Sequence, residues 1–296
     1  MSWAGYRALV CEPLFLVFCQ CVSLEAVPGT RNGFFLIPVK ISATIITLNE
    51  EGRLDRCLES IEGVVDEIIV VDSGSTDRTL AIAAAQGATV LTRAWTNYSE
   101  QKNYAASQAS CDWILSLDAD ECLSDELKRE ILGLKSAAIH ADAFRFPRMA
   151  LYLGKWIRFS GWYPDYKVRL YHKSKASWEG SYVHETLLVN GTIESLKGDL
   201  LHYTCDSLSE HINRLDRYTT LAAQDLYSRG KPGSLFQLII SPLLAFVRSL
   251  FIKSGFRDGV QGYTIAYFAS FYNFLKYAKL RELKKKRSSP TKTQSR

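Results

Sequence analysis

From Ile37 onward the sequence alternates apolar runs with helix-like stretches, and this alternation constrains the fold more than any other feature. ISATIITL is followed by RLDRCLESI, EIIVVD by TLAIAAAQ, ATVLTR by SEQKNYAASQA, and WILSLD closes the series. Runs rich in Ile and Val, each about one helix from the next, predict parallel strands buried on both faces and joined by right-handed crossovers. Gly87 fits the close of the second helix. In open sheets of this kind ligands sit beyond the carboxyl ends of the strands. Asn49, Glu50, Asp72 and Asp118 all fall there, so the motifs share one edge of the sheet.

The chemistry at that edge is acidic. In SLDADE, Ser116 to Glu121, a hydrophobic run delivers Asp118 and Asp120 at a strand end. Alternation along an extended strand puts both carboxylates on one face, and a turn starting at Ala119 lets them converge on one divalent ion with hard oxygen ligands. The competing structural reading is a helix cap, but Ser124, Asp125 and Glu126 account for that cap without either aspartate. Upstream, VVDSGSTD places Asp72 at the end of a buried strand before Ser73, Gly74 and Ser75. A carboxylate exposed there, beside a turn that lets a ligand approach closely, suits ribose hydroxyls or a base N–H. Together the two motifs suggest a metal-bridged nucleotide diphosphate. The chain lacks both Gly-x-Gly-x-x-Gly after the first strand and the P-loop pattern, which argues against a dinucleotide fold and a P-loop NTPase.

Further candidates lie along the chain. Asn49 and Glu50 are placed either to touch a nucleotide or to form a turn with a helix-opening acid. Lys102, in the third helix, either offsets phosphate charge or is a solvated helical lysine. His184 and Glu185 follow SYV in an aromatic setting, and either can serve as general base for a sugar hydroxyl. His202, in GDLLHYT, can offer a neutral nitrogen to a metal already held by aspartates, or be structural.

At 296 residues and 47% hydrophobic content the chain has ample material for a packed core. Its formal charge of +5 is concentrated at one end: seven Lys and Arg against Glu282 give the last sixteen residues +6, leaving −1 before Arg281. A body near neutrality argues against a nucleic-acid partner, and a basic tail beside apolar segments fits an anionic membrane surface. Those segments are Leu235 to Ile252, interrupted by Pro242 and Arg248, and YTIAYFASFYNFL from Tyr263. They read as a helix pair in the membrane interface or as a hairpin packed on the domain. Seven cysteines without paired spacing fit a reducing compartment. Leu14 to Val22 is too short for a confident span and lacks a clear cleavage site. The expected organisation is an extension over 1–36, a domain over 37–230 with a donor half (37–135) and an acceptor half (136–230), an apolar helical segment over 231–280, and a basic tail.

ISATIITLNEE, VVDSGSTDRT, QKNYA and LDADE, in this order, resemble glycosyltransferase family 2 with its GT-A fold, a Rossmann-like mostly parallel sheet. The continuation through GWY, RLY, VHE, GDLLHY and GFRDG is similar to the bacterial lipopolysaccharide core β-1,4-glucosyltransferase branch. The resemblance implies that Asn49, Glu50, Asp72, Lys102 and Asp118 bind a nucleotide-sugar donor, with UDP-glucose as the expected one. It implies that Asp118, Asp120 and His202 hold Mg or Mn, and that Glu185 is the base in an inverting transfer to a lipid-linked saccharide acceptor. Where the family often shows Glu-Asp this chain has His184-Glu185, so His184 stands as the alternative base. Transfer to a polyprenyl phosphate, which needs no base, and a catalytically silent sugar-nucleotide scaffold are the other readings. The implied location is the cytoplasmic face of the inner membrane.

Overall fold

The computed structural model describes residues 39–180 and 185–288. The 1–36 extension, His184 and the tail end at Lys292 and Arg296 lie outside the described residues.

The chain opens with β1 (Ile41–Thr47), α1 (Leu54–Ile61), β2 (Glu67–Asp72), α2 (Thr79–Ala85), β3 (Thr89–Thr92), α3 (Tyr98–Gln108) and β4 (Trp113–Asp118). The four strands are parallel, in the order β3-β2-β1-β4. Every residue of β1 is buried, as a strand flanked on both sides and covered on both faces must be. Ile41, Ala43 and Ile45 join Leu54, Leu58 and Ile61 of α1 on one face, while Ile46 joins Ala105 and Ala106 of α3 on the other. Each such Ile or Leu side chain contributes roughly 1.5–3 kcal/mol by leaving water. Gly87, at φ +72°, closes α2 in the left-handed region as expected.

The second half adds β5 (Glu121–Leu123), α4 (Asp125–Lys135), β6 (Ala143–Tyr152), β7 (Lys155–Trp156), β8 (Asp165–His172), β9 (Ala176–Glu179), β10 (Thr186–Val189), β11 (Ile193–Ser195) and β12 (Leu200–Cys205). Ser124 caps α4 through the Leu127 N–H, with Asp125 and Glu126 in the first turn. The sheet continues from β4 through β8, β6 and β12 to β5, and here antiparallel pairs mix with parallel ones. The architecture is therefore the mixed α/β fold expected, with its uniformly parallel part confined to the first half.

Three α-helices follow among the described residues: α5 (Leu208–Ser228), α6 (Leu235–Val247) and α7 (Val260–Ser288). Pro242 does not end α6, which runs through it and continues as a π-helical turn over Arg248–Ile252. α7 packs against both α5 and α6. Lys279 ties α7 to α5 through Asp216, Thr219 and Thr220. The GFRDG segment ties the helices to the sheet: buried Asp258 accepts from the Phe159 and Arg158 N–H groups, and its carbonyl accepts from Lys155.

Candidate active site

Strand register assembles the site. Thr47 lies opposite Asp72 and Ile46 opposite Asp118, so the loops after β1, β2 and β4 emerge side by side. The first two loops are zipped together. Asn49, in the left-handed region at φ 54°, accepts from the Thr76 N–H through Oδ1 at 2.8 Å, while its own N–H donates to Ser75 Oγ at 2.8 Å. Asparagine tolerates that conformation better than most residues. The Glu50 N–H donates to Thr79 Oγ1, and the Glu51 side chain pairs with Arg78. LNEE and DSGSTDRT are thus two halves of one loop structure.

Asp72 corrects an expectation. Its carboxylate is not exposed at the sheet edge: the residue is fully buried, and its oxygens accept from the N–H groups of Gly74 and Ser75 and from Ser75 Oγ. A strand-end acid followed by small residues folds the turn back onto itself. Asp72 shapes the loop that Asn49 grips.

Lys102 likewise departs from the solvated-lysine reading. It is 2% exposed, with Nζ 2.9 Å from Asp118 Oδ1, 3.8 Å from Glu185 Oε1 and 4.4 Å from the Trp178 ring centroid. Its neighbours in QKN hold it there. Gln101 donates to Ser73 Oγ and the Arg93 carbonyl, and the Asn103 amide bonds both the N–H and the carbonyl of Trp178.

Arg169, on β8, was not anticipated as a site residue. It is 4% exposed and bonds Asp118 Oδ2 at 2.6 Å and Glu121 Oε1 at 2.7 Å. Glu121, fully buried, also pairs with Arg148, which in turn grips Asp165 at 2.7 Å. Burial by itself would raise the Asp118 carboxyl pKa, but Arg169 and then Lys102 outweigh it and hold the group well below the usual range. Burial likewise disfavours charge on Arg169, yet Asp118 and Glu121 raise its pKa further still. The only sequence signal for this residue is a cation inside the apolar VRLY strand.

Asp120 faces elsewhere. β12 runs antiparallel to β5 with His202 opposite Glu121, and the Tyr203 N–H donates to the Asp120 carbonyl. His202 Nε2 consequently lies 3.2 Å from Asp120 Oδ2, while Thr204 Oγ1, 3.0 Å from Nδ1, orients the ring. Two adjacent ligands of an octahedral ion at about 2.1 Å are themselves about 3 Å apart, so this carboxylate and imidazole fit one divalent cation. Asp118 fits less directly, because both its oxygens face cations. Among the described residues no group of three or more His, Cys, Asp or Glu is gathered for a metal.

Glu50 is the remaining acid at this edge. Burial raises its pKa, and Asp120 adds to the shift, against the opposing pull of Arg53. An acid with a raised folded-state pKa contributes its stability below its unfolded pKa and loses it as pH rises through the folded value. Glu50→Gln is therefore expected to raise the melting temperature at pH 7 in EDTA, with the difference vanishing near pH 4. Equal melting temperatures at pH 7 would show that Arg53 compensates fully.

A family model described as Glycosyl transferase family 2 matches residues 42–150. An uncharacterised glycosyltransferase of Rickettsia typhi is 37% identical over 259 residues, covering 82% of this chain and 87% of that protein. The lipopolysaccharide core biosynthesis glycosyltransferase LpsC of Rhizobium meliloti is 32% identical over 258 residues, covering 83% and 93%. Among solved structures, glucosyl-3-phosphoglycerate synthase from Mycobacterium tuberculosis, in complex with Mn2+, UDP and glucosyl-3-phosphoglycerate, aligns with a TM-score of 0.44 at 17% identity. The alignment covers 66% of this chain and 81% of that one.

Proposed function

Because this chain belongs to glycosyltransferase family 2, we propose that it transfers a sugar, glucose from UDP-glucose, to a hydroxyl of the lipopolysaccharide core or another cell-envelope glycan, with inversion. The observation that carries the reading is the Lys102–Asp118–Arg169 cluster, both cations buried, with Glu185 against the same lysine and the Asp120–His202 pair one turn away. The similarity to a lipopolysaccharide core glycosyltransferase supports the acceptor class.

In this reading Asn49 and Glu50 face the nucleoside on the loop that Asp72 shapes, and Lys102 and Asp118 lie toward the diphosphate. Asp120 and His202, joined by Asp118, would hold Mg or Mn. When bound, such an ion neutralises charge on the departing diphosphate. Glu185 takes the proton of the acceptor hydroxyl. The freed oxygen bonds to the anomeric carbon while the bond to the diphosphate oxygen breaks, its electron pair leaving with the nucleoside diphosphate. Incubation with a panel of nucleotide sugars, with Mn2+ or Mg2+ and with EDTA, tests the whole. Metal-dependent turnover of a UDP-sugar is expected, and indifference to EDTA would remove the metal from the reading.

The same reading places the protein peripherally on the cytoplasmic face of the inner membrane, at an anionic surface. Leu235–Ile252 is long and apolar enough, by length and composition, to cross a membrane, and 11% of it is buried. Phe236, Ile239, Leu243, Val247 and Phe251 recur at helical spacing, and all are exposed, Phe236 by 71%. A stripe of this kind fits shallow insertion. Lys284, Lys285 and Lys286 near the end of α7 add about 1 kcal/mol each at an anionic surface, a contribution that salt screens. Flotation with anionic liposomes is expected to survive 1 M salt in part, and to fall about tenfold in Phe236→Glu/Leu243→Glu. Complete release by salt would leave charge as the whole attachment.

A further inference from the structure

A cavity of about 730 Å³ lies between the sheet and the helices, and its walls differ in chemistry. The sheet side presents Trp162, packed edge-on against Tyr152 at 5.4 Å, together with Gly161 and Thr204. These last two and Trp162 also line a smaller cavity of about 360 Å³ that contains His202. The two spaces therefore share a wall, and Thr204 is the residue whose hydroxyl orients the His202 ring. The helix side presents Leu244 and Ala245 of α6 and Ile265 and Phe268 of α7. Leu244 is 62% exposed and sits beside the stripe already described, so the cavity opens where that apolar surface begins.

The charged groups of the lining have one sign. Arg214, Arg248 and Lys253 line it, and no Asp or Glu does. Arg214 is already paired with Glu210, whereas no ion pair to Arg248 or Lys253 is found among the described residues. The Lys253 stem lies over Gly161, where a Cβ would meet it at 3.4 Å. Ser160 and Ser249, 8% and 7% exposed, also line the cavity, and their hydroxyls lack hydrogen-bond partners. Buried hydroxyls normally find a partner. Two exposed, unpaired cations at the rim of a cavity whose helix side is apolar describe a receptor for a phosphate that carries acyl chains.

We infer that this cavity binds the lipid-proximal, phosphate-bearing end of the acceptor. Its phosphate meets Arg248 and Lys253, its acyl chains follow α6 and α7 toward the membrane, and its sugar crosses Trp162 toward His202. The inference rests on the glycosyltransferase reading above and specifies its acceptor as an anionic amphiphile rather than a free sugar.

Calorimetric titration of the full chain with dihexanoyl phosphatidic acid, dihexanoyl phosphatidylcholine and inorganic phosphate tests it. Phosphatidic acid is expected to bind at least about tenfold more tightly than either comparator, since only it satisfies both the charge and the apolar wall. Arg248→Gln/Lys253→Gln is expected to remove that preference, and Ala245→Phe, which fills the apolar side, to weaken phosphatidic acid without touching the charges. Equal binding of the two lipids, inorganic phosphate binding as tightly as phosphatidic acid, or an unchanged preference in the double variant overturns it. UDP titration of the same samples separates the two readings. Lipid discrimination without UDP binding upholds the cavity and overturns the donor assignment, and UDP binding without lipid discrimination does the reverse.

Discussion

Glu185→Gln is expected to lower sugar transfer about 10²- to 10⁴-fold while donor binding survives. The substitution keeps size and hydrogen-bonding capacity and removes only the affinity for the acceptor proton. The fold has little reason to respond. Lys102, the partner of Glu185 at 3.8 Å, keeps its closer contact with Asp118 at 2.9 Å. Steady-state transfer to a saccharide hydroxyl, run beside UDP titration, measures both halves of the expectation. His184→Ala is expected to be milder. An active glutamine variant with a dead alanine variant would hand the proton to the histidine, and full activity in both would favour an acceptor already ionised, such as a polyprenyl phosphate.

Asp118→Ala and Asp120→Ala are both expected to abolish transfer, but only the first should damage the fold. Removing Asp118 leaves Lys102 and Arg169, 2% and 4% exposed, short of their shared counter-ion. Breaking a buried pair from one side costs about 3–5 kcal/mol, and the partial exposure of Asp118 together with the remaining contacts to Glu185 and Glu121 brings the expectation to about 2–4 kcal/mol. For a chain of this size that is roughly 5–10 °C in melting temperature. Asp120 contacts a histidine, which can stay neutral, so its loss should cost less than about 1 kcal/mol. Thermal melts with activity assays separate the two variants. Equal melting temperatures would mean that the Lys102–Asp118–Arg169 cluster is not held by its charges, and residual transfer by Asp120→Ala would count against its place in the metal pair.

The helical arm answers to the same logic of counting partners. α6 uses one side against α7 and leaves Phe236, Ile239 and Leu243 to solvent, an arrangement a soluble domain would ordinarily cover. Asp258 explains why GFRDG stands in a segment otherwise devoted to apolar surface. Its carboxylate secures the N–H groups of Arg158 and Phe159, next to the Ser160–Trp162 wall of the large cavity, so the orientation of the arm and the shape of that wall are set together.

The parallel half of the sheet, its helices and the edge at which ligands meet it were legible in the sequence, because strand and helix periodicity are local and ISATIITL, EIIVVD and WILSLD each carry their own burial pattern. Asn49, Glu50, Asp72, Asp118, Asp120 and His202 could be named for the same reason, as polar residues following apolar runs, and Lys102 as a cation in the third helix. What those side chains face was not legible. Asp72 turned inward to its own loop and Lys102 became buried, since each outcome depends on a partner 3 to more than 15 residues away. Arg169 escaped notice because only the antiparallel insertion of β8 beside β4, with Leu115 opposite Leu170, brings a cation from the second half under the Asp118 carboxylate. Local pattern determines which residues are buried and which end a strand. Charge pairing across a sheet is settled by register, and register exists only once the distant strands have met.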